Sequence, residues 1–349
     1  MSAGVFVASK SPTWDLVKSA GGMAADALLG SFPAASLLKR GAGAVAECYK
    51  AQTERRYEEF VRAALEGDVF PENAEDMSAE ELMGMLRLCM ADIEQKKAPL
   101  YGRLAKAIAQ NKVPANFGPP LMVALSTLTL QQAERLRRAW VAKQHTLLPA
   151  QGSGNKSPAD FLGNKGGVLD RRDHAALVSQ SLVEGEQLTS LGNHLVEACF
   201  LREELTPEAI GERVWLPGVL VTISYDLDQP DVLRFVEVLA NVARSQAIKC
   251  GPAGAPQDAD RARPLWMIAQ RPFVVIVGQH ASRLLDHMTV FERPFARGFQ
   301  PIVVFLNGCD AAVSESLRAA VVIDAKEESQ PVAELVVRHV LNVLSNAKS

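Results

Sequence analysis

Short polar segments follow four apolar runs in the second half of the chain, and they carry the side chains most able to do chemistry. They are Ser224-Tyr225-Asp226, Gly278-Gln279-His280, Asn307-Gly308-Cys309-Asp310 and Asp324. Apolar runs that alternate with helices form parallel sheets, and ligands bind such sheets at the carboxyl ends of the strands. The segments therefore predict one crevice lined by hydroxyl, amide and carboxylate groups.

Signatures of common catalytic and metal sites are absent from these segments. None contains a G-x-G-x-x-G or G-x-x-x-x-G-K-[ST] phosphate loop, a G-x-S-x-G nucleophile elbow or an H-E-x-x-H zinc motif. His280 and His287 flank Ser282, but no pattern pairs them with a nucleophile. The five cysteines are scattered without zinc spacing, so the sequence predicts no metal site.

The elements that position these segments are buried strands that alternate with amphipathic helices. Strands are predicted at residues 219–225, 273–278, 301–306 and 320–324, with a short, weak one at 248–250. Helices are predicted at residues 230–247, 287–297 and 331–344. This order predicts a doubly wound parallel-sheet domain of the flavodoxin-like class over residues 213–349.

Residues 1–148 are predicted to form a helical bundle, because Ala, Leu, Glu, Arg and Met dominate and β-branched runs are rare. Ser78 and Glu81 form a predicted capping box, and Thr129 is a predicted cap of a later helix. The apolar face predicted for the helix after Ser78 consists of Leu82, Met85, Leu86, Cys89, Met90 and Ile93. The Ala/Gly-rich segment 21–46 is too interrupted to span a membrane, although it suits a membrane surface or a partner helix.

A linker and a small module join the two halves. Residues 149–167 are rich in Gly, Ser, Asn and Pro and are predicted to be a linker. Residues 168–212 read as a helix, a tiny hairpin around Gly185 and a second helix, which resembles the wing end of a winged-helix domain. Because Lys and Arg are sparse after Arg172, a structural or protein-contact role is favoured over DNA binding.

Charge and composition exclude several classes of protein. The chain has 349 residues with 37 Lys+Arg and 40 Asp+Glu, for a net charge of −3. That balance argues against a dedicated nucleic-acid binder. Scattered cysteines and the lack of a secretory signal predict reduced thiols and a cytoplasmic location.

The predicted sheet domain resembles the Toll/interleukin-1 receptor (TIR) domain family. The resemblance covers about the last 135 residues and begins at VTISYD (221–226), which is similar to the family's opening strand. It continues through IAQRPFVVIV (268–277), ASR (281–283) and VFE (290–292) to the strand at Ile302. The chain departs from the family at Met288, where the family usually carries Trp, and at Pro294.

The resemblance implies NAD as the substrate, because many enzymatic TIR domains use a glutamate on the helix after this strand. Glu292 is the matching position and the candidate catalytic residue, with a solvated helix glutamate as the alternative. The candidate residues around NAD are Ser224, Tyr225, Asp226, Trp266, Gly278 and Ser282. Asp226 and Asp228 equally suit caps of the helix that opens at Pro230, and Tyr225 and Trp266 equally suit packing residues.

Two functions follow as hypotheses. The first is a TIR-like NAD glycohydrolase, gated by self-assembly or by a partner; the resemblance implies bacterial anti-phage defence. The alternative is a non-catalytic TIR-like interaction or scaffold protein whose helical half binds a protein partner or a membrane surface. Both hypotheses expect a homo-oligomer, and neither needs a cofactor beyond NAD as the substrate.

Overall fold

The chain folds into a helical unit and an α/β unit. The computed structural model describes residues 43–66, 79–151, 154–163, 167–253, 272–279, 284, 301–316, 319, 321–325 and 328–346. The helical unit comprises Met1–His145 and Lys156–Gly211, and the α/β unit comprises Thr146–Asn155 and Glu212–Ser349. The predicted combination of a helical part and an α/β part with a parallel sheet is confirmed.

The helical unit is built from helices around one apolar core, with a short hairpin near its end. Its described helices are α1 (Gly43–Leu65), α2 (Ala79–Ala91), α3 (Ala98–Ala109), α4 (Gly118–Thr127), α5 (Leu130–Gln144), α6 (Pro158–Leu162), α7 (Val168–Ser179) and α8 (Ser190–Cys199). The predicted cap of α5 is confirmed, because Thr129 Oγ1 accepts from Gln132 N at 3.2 Å. Helices α1 and α3 cross closely at Gly102, where a Cβ would lie 2.2 Å from the Phe60 carbonyl oxygen.

The apolar face predicted for α2 is confirmed except at Ile93. Leu82, Met85 and Cys89 are buried, whereas Ile93 is 93% exposed. The helix ends at Ala91, and the Arg56 guanidinium binds the carbonyl oxygens of Met90, Asp92 and Ile93. Extending the helical spacing to Ile93 was therefore wrong, because a tertiary contact ends the helix first.

A buried polar cluster holds the turn after α2. Lys97, which is 1% exposed, contacts the Asp92 carboxylate and donates to the Leu128 carbonyl oxygen at 2.6 Å. The Tyr101 hydroxyl donates to the same carboxylate at 2.7 Å, and burial together with this bond raises the pKa of Tyr101. The cluster thus ties α3 and the end of α4 to one carboxylate.

The helix–hairpin–helix segment shares the core of the helical unit. Strands β1 (Val183–Glu184) and β2 (Gln187–Leu188) pair antiparallel, with Gly185 at φ +58° in the turn. Helix α8 packs on α3 and α5, and its His194 ring lies 5.2 Å from the ring of Phe117. Most of α8 is covered by the rest of the unit, and the hairpin tip exposes the acidic side chains Glu184 and Glu186. Acidic side chains repel DNA phosphates, so the segment is better suited to packing within the unit than to binding DNA.

The α/β unit contains a five-stranded parallel sheet. Its strands are β3 (Val219–Ile223), β4 (Lys249–Ala253), β5 (Phe273–Val277), β6 (Ile302–Phe305) and β7 (Val321–Asp324), in the order β4-β3-β5-β6-β7. Helices α9 (Pro230–Ser245) and α11 (Ser329–Asn346) pack on one face, and α10 (Ala311–Ser316) contributes Val313 to the other. Both faces of the sheet are therefore covered, which explains why β5 and β6 are apolar at every position.

The reactivity of the cysteine thiols tests whether the structure buries the correct cysteines. Burial raises the pKa of Cys89, Cys199 and Cys250 to about 12, whereas Cys309 is exposed in a turn. Three pKa units lower the thiolate fraction about a thousandfold at neutral pH. We expect iodoacetamide at pH 8 to alkylate Cys309 well before these three, as read by peptide mass spectrometry. Equal labelling of Cys199 and Cys309 in the folded protein would contradict the packing.

A crevice at the carboxyl ends of two central strands

The candidate site lies where the strand order reverses. Strand β3 is the first strand of the sheet in the chain, and it has β4 on one side and β5 on the other. Such a reversal of strand order is the place where open parallel sheets bind ligands, in a crevice between loops that leave towards opposite faces. Ser224, Tyr225 and Asp226 follow β3, and Gly278 follows β5, so four of the predicted residues come together here.

A buried carboxylate joins the two strand ends. Asp226 is 2% exposed, and its Oδ2 accepts the Gly278 N–H at 3.0 Å. The same offset of 52 residues that pairs Ile223 with Val275 also places Asp226 opposite Gly278. Ser224, 3% exposed, accepts the Asp226 N–H at its Oγ at 3.2 Å. The Asp226 side chain thereby holds the ends of β3 and β5 together, and the Ser224 side chain holds the Asp226 backbone.

The capping role considered for Asp226 and Asp228 is wrong. The residue at the N-cap of α9 is Gln229 rather than either aspartate, and the Gln229 side chain makes no capping hydrogen bond. Asp226 instead accepts from Gly278 with its carboxylate and from the Gln229 N–H, at 2.9 Å, with its carbonyl oxygen. Asp228 is exposed. The Asp226 carboxylate does not cap α9 because it accepts from the buried Gly278 N–H at the end of β5.

Gln229 is a crevice residue that the sequence reasoning missed. Its Oε1 accepts the Gln279 N–H at 3.0 Å, which makes a second bond between the two strand ends. Its Nε2 is buried and has no hydrogen-bond partner among the residues that the structure describes. A single glutamine before Pro230 matches no motif, so only the folded arrangement reveals it.

Gly278 is the point of closest approach in the crevice. A Cβ at this position would lie 2.4 Å from Gln229 Oε1, 2.9 Å from Asp226 Oδ2 and 3.0 Å from Asp226 Cβ. Real Cβ atoms do not approach other atoms so closely. Because glycine has no Cβ, Asp226 can accept from the Gly278 N–H and Gln229 can accept from the Gln279 N–H beside it.

Tyr225 lies just after β3 and packs against one face of the sheet. It is half-buried against the face of the sheet formed by Val221, Ile223 and Val277. Burial raises the pKa of Tyr225 to about 12. The phenol is therefore protonated at physiological pH and able to donate a hydrogen bond.

The remaining predicted residues divide into two groups. Glu292, Trp266 and Ser282, together with His280 and His287, lie outside the described residues. At the other strand ends, Asp310 Oδ1 accepts from Ala312 N at 2.9 Å and so caps α10, and Cys309 sits in an exposed turn. A separate groove of about 430 Å³ lies between the carboxyl-terminal half of α9 and α11, away from the strand ends.

The described part of the chain contains neither a metal-binding cluster nor a helix that could cross a membrane. Its His, Cys, Asp and Glu residues form no group of three that could hold a metal ion. None of its helices combines the length and the apolar character needed to cross a membrane.

Comparison with known proteins gives no further guide to the site. No protein-family model, no curated protein and no solved structure matches the chain.

Proposed function

We propose that the chain is a TIR-like effector that hydrolyses NAD, with its activity gated by self-assembly or by a partner, in bacterial anti-phage defence. The observation that carries the proposal is the hydrogen-bonded cluster of Ser224, Asp226 and Gly278 at the carboxyl ends of β3 and β5. The strand order, second-first-third-fourth-fifth, is that of flavodoxin-like sheets, which bind nucleotides at this reversal.

The chemistry requires one carboxylate near a developing cation. The bond between the ribose C1 and the nicotinamide nitrogen breaks, and nicotinamide leaves with the bonding electron pair. The ribose becomes oxocarbenium-like, and a carboxylate stabilises that charge. Water then bonds to C1 and releases a proton, giving ADP-ribose. Glu292 is proposed as the carboxylate.

The described residues prepare the crevice for this reaction. Asp226 and Ser224 are positioning residues, because their buried bonds hold the ends of β3 and β5 together. Gly278 lets the Asp226 and Gln229 side chains lie close to the end of β5, and burial keeps the Tyr225 hydroxyl protonated.

NAD consumption by the purified chain tests the proposal. We expect turnover that rises with protein concentration, and we expect Glu292→Ala to lower it about a hundredfold, as loss of a group that stabilises transition-state charge does. The matched control is Glu237→Ala, which removes an exposed carboxylate from α9 of the same unit. Equal turnover in both variants would contradict the role of Glu292.

A non-catalytic interaction protein remains the second candidate, favoured by exposed apolar side chains on the helical unit. Ile93 is 93% exposed, and Val168 and Leu169 on α7 are 72% and 73% exposed. Apolar side chains presented on rigid elements are typical anchors of protein interfaces. Absence of NAD turnover and of NAD binding at all protein concentrations would favour this candidate.

A further inference from the structure

Gln229 holds a fixed orientation at the crevice. Its Oε1 accepts the Gln279 N–H at 3.0 Å, so exchanging the amide oxygen and nitrogen would set two donors against each other. The assignment of Nε2 as the other amide atom therefore follows from the hydrogen bond itself.

Among the described residues, the Nε2 group of Gln229 has no hydrogen-bond acceptor, although it is buried. Buried donors in native proteins are almost always paired, and an unpaired one is costly. Because it lies at the edge of the sheet where ligands bind, an acceptor supplied by a ligand is the direct way to satisfy it.

The charge around Gln229 selects the kind of acceptor. Between Ser224 and Leu233 the chain carries Asp226, Asp228 and Asp231 and no Lys or Arg. A phosphate oxygen would meet repulsion from these carboxylates, whereas a neutral carbonyl attached to a cationic ring would be attracted. The nicotinamide group of NAD has that combination.

Resting on the function proposed above, we infer that Gln229 binds the nicotinamide end of NAD, with Nε2 donating a hydrogen bond to the carboxamide oxygen. Gln229 is then a specificity-determining residue, because it recognises the group that distinguishes NAD from the product ADP-ribose. Asp226 supports it as a positioning residue, because its carboxylate accepts from the Gly278 N–H and its carbonyl oxygen accepts from the Gln229 N–H.

The test compares NAD and ADP-ribose on two variants by isothermal titration calorimetry, with every protein also carrying Glu292→Ala so that NAD is not hydrolysed during the titration. Gln229→Glu keeps the oxygen that accepts from Gln279 and replaces the donor with a second acceptor. We expect it to weaken NAD binding about tenfold, the loss of a hydrogen bond with added repulsion, while ADP-ribose binding changes less than about twofold. The matched control is Gln246→Glu, which places the same change at the exposed carboxyl-terminal end of α9.

The outcomes distinguish the assignment of Gln229 to the nicotinamide end from the proposed NAD-hydrolysing function. Unchanged NAD affinity in Gln229→Glu, or equal weakening of NAD and ADP-ribose, overturns the assignment to the nicotinamide end. If the glutamate variant fails to fold by circular dichroism, Gln229→Met removes the donor without a charge, and the same selective loss is required of it. A chain that keeps Gln229 and binds neither NAD nor ADP-ribose overturns the proposed function, and this inference with it.

Discussion

Gly278→Ala is expected to destabilise the α/β unit by about 3 kcal/mol, combining overpacking with a weakened charge-assisted hydrogen bond. The new methyl group would lie 2.4 Å from Gln229 Oε1 and 2.9 Å from Asp226 Oδ2. Relief of either contact moves a side chain that joins the ends of β3 and β5. Hydrogen exchange measured by mass spectrometry on peptides from β3 and β5 reports the change.

The matched control for this prediction is Gly251→Ala, in β4 of the same sheet. A Cβ at Gly251 meets no atom of the described residues within 4 Å, so the substitution adds no clash with them. We expect hydrogen exchange of β3 and β5 in this variant to match that of the wild-type chain. Equal protection in both variants would show that the Asp226 and Gln229 side chains do not hold the strand ends together.

The sequence pattern predicts which residues follow the strands of the sheet, but it does not predict the hydrogen bonds between them. In parallel sheets the carboxyl ends of the strands share one edge, so the apolar runs before Ser224 and Gly278 were enough to bring those residues together. The bond from Gly278 to Asp226 depends on the register of β3 against β5. Because β5 is buried at every position, its sequence has no alternation that specifies this register.

In the helical unit, too, the sequence pattern predicts the elements but not the long-range contacts that end them. Helical spacing identified the buried face of α2, yet it continued past Ala91 to Ile93, because the pattern carries no information on Arg56. Lys96 and Lys97 are also indistinguishable as a sequence pair. In the structure Lys96 is exposed and Lys97 is buried, and only the distant partners Asp92 and Leu128 make the difference.

Lys97→Met is therefore expected to lower the free energy of unfolding of the helical unit by about 3–5 kcal/mol, the usual cost of removing one partner of a buried ion pair. Methionine fills a similar volume, so the loss reports on charge more than on packing. The Asp92 carboxylate, 7% exposed in its side chain, would keep the Tyr101 hydroxyl and the Glu94 N–H but lose its cation. Urea unfolding followed by circular dichroism at a helical wavelength measures the change.

Lys96→Met separates this effect from a general loss of positive charge. Lys96 lies in the same short turn, Gln95–Lys97, and its side chain is exposed. Surface substitutions of this kind change stability by about 0.5 kcal/mol or less. Since both variants remove one lysine and add one methionine, net charge and composition are identical between them. A difference of several kcal/mol then belongs to the buried pair, whereas equal unfolding curves would mean that Lys97 and Asp92 do not pair in the core.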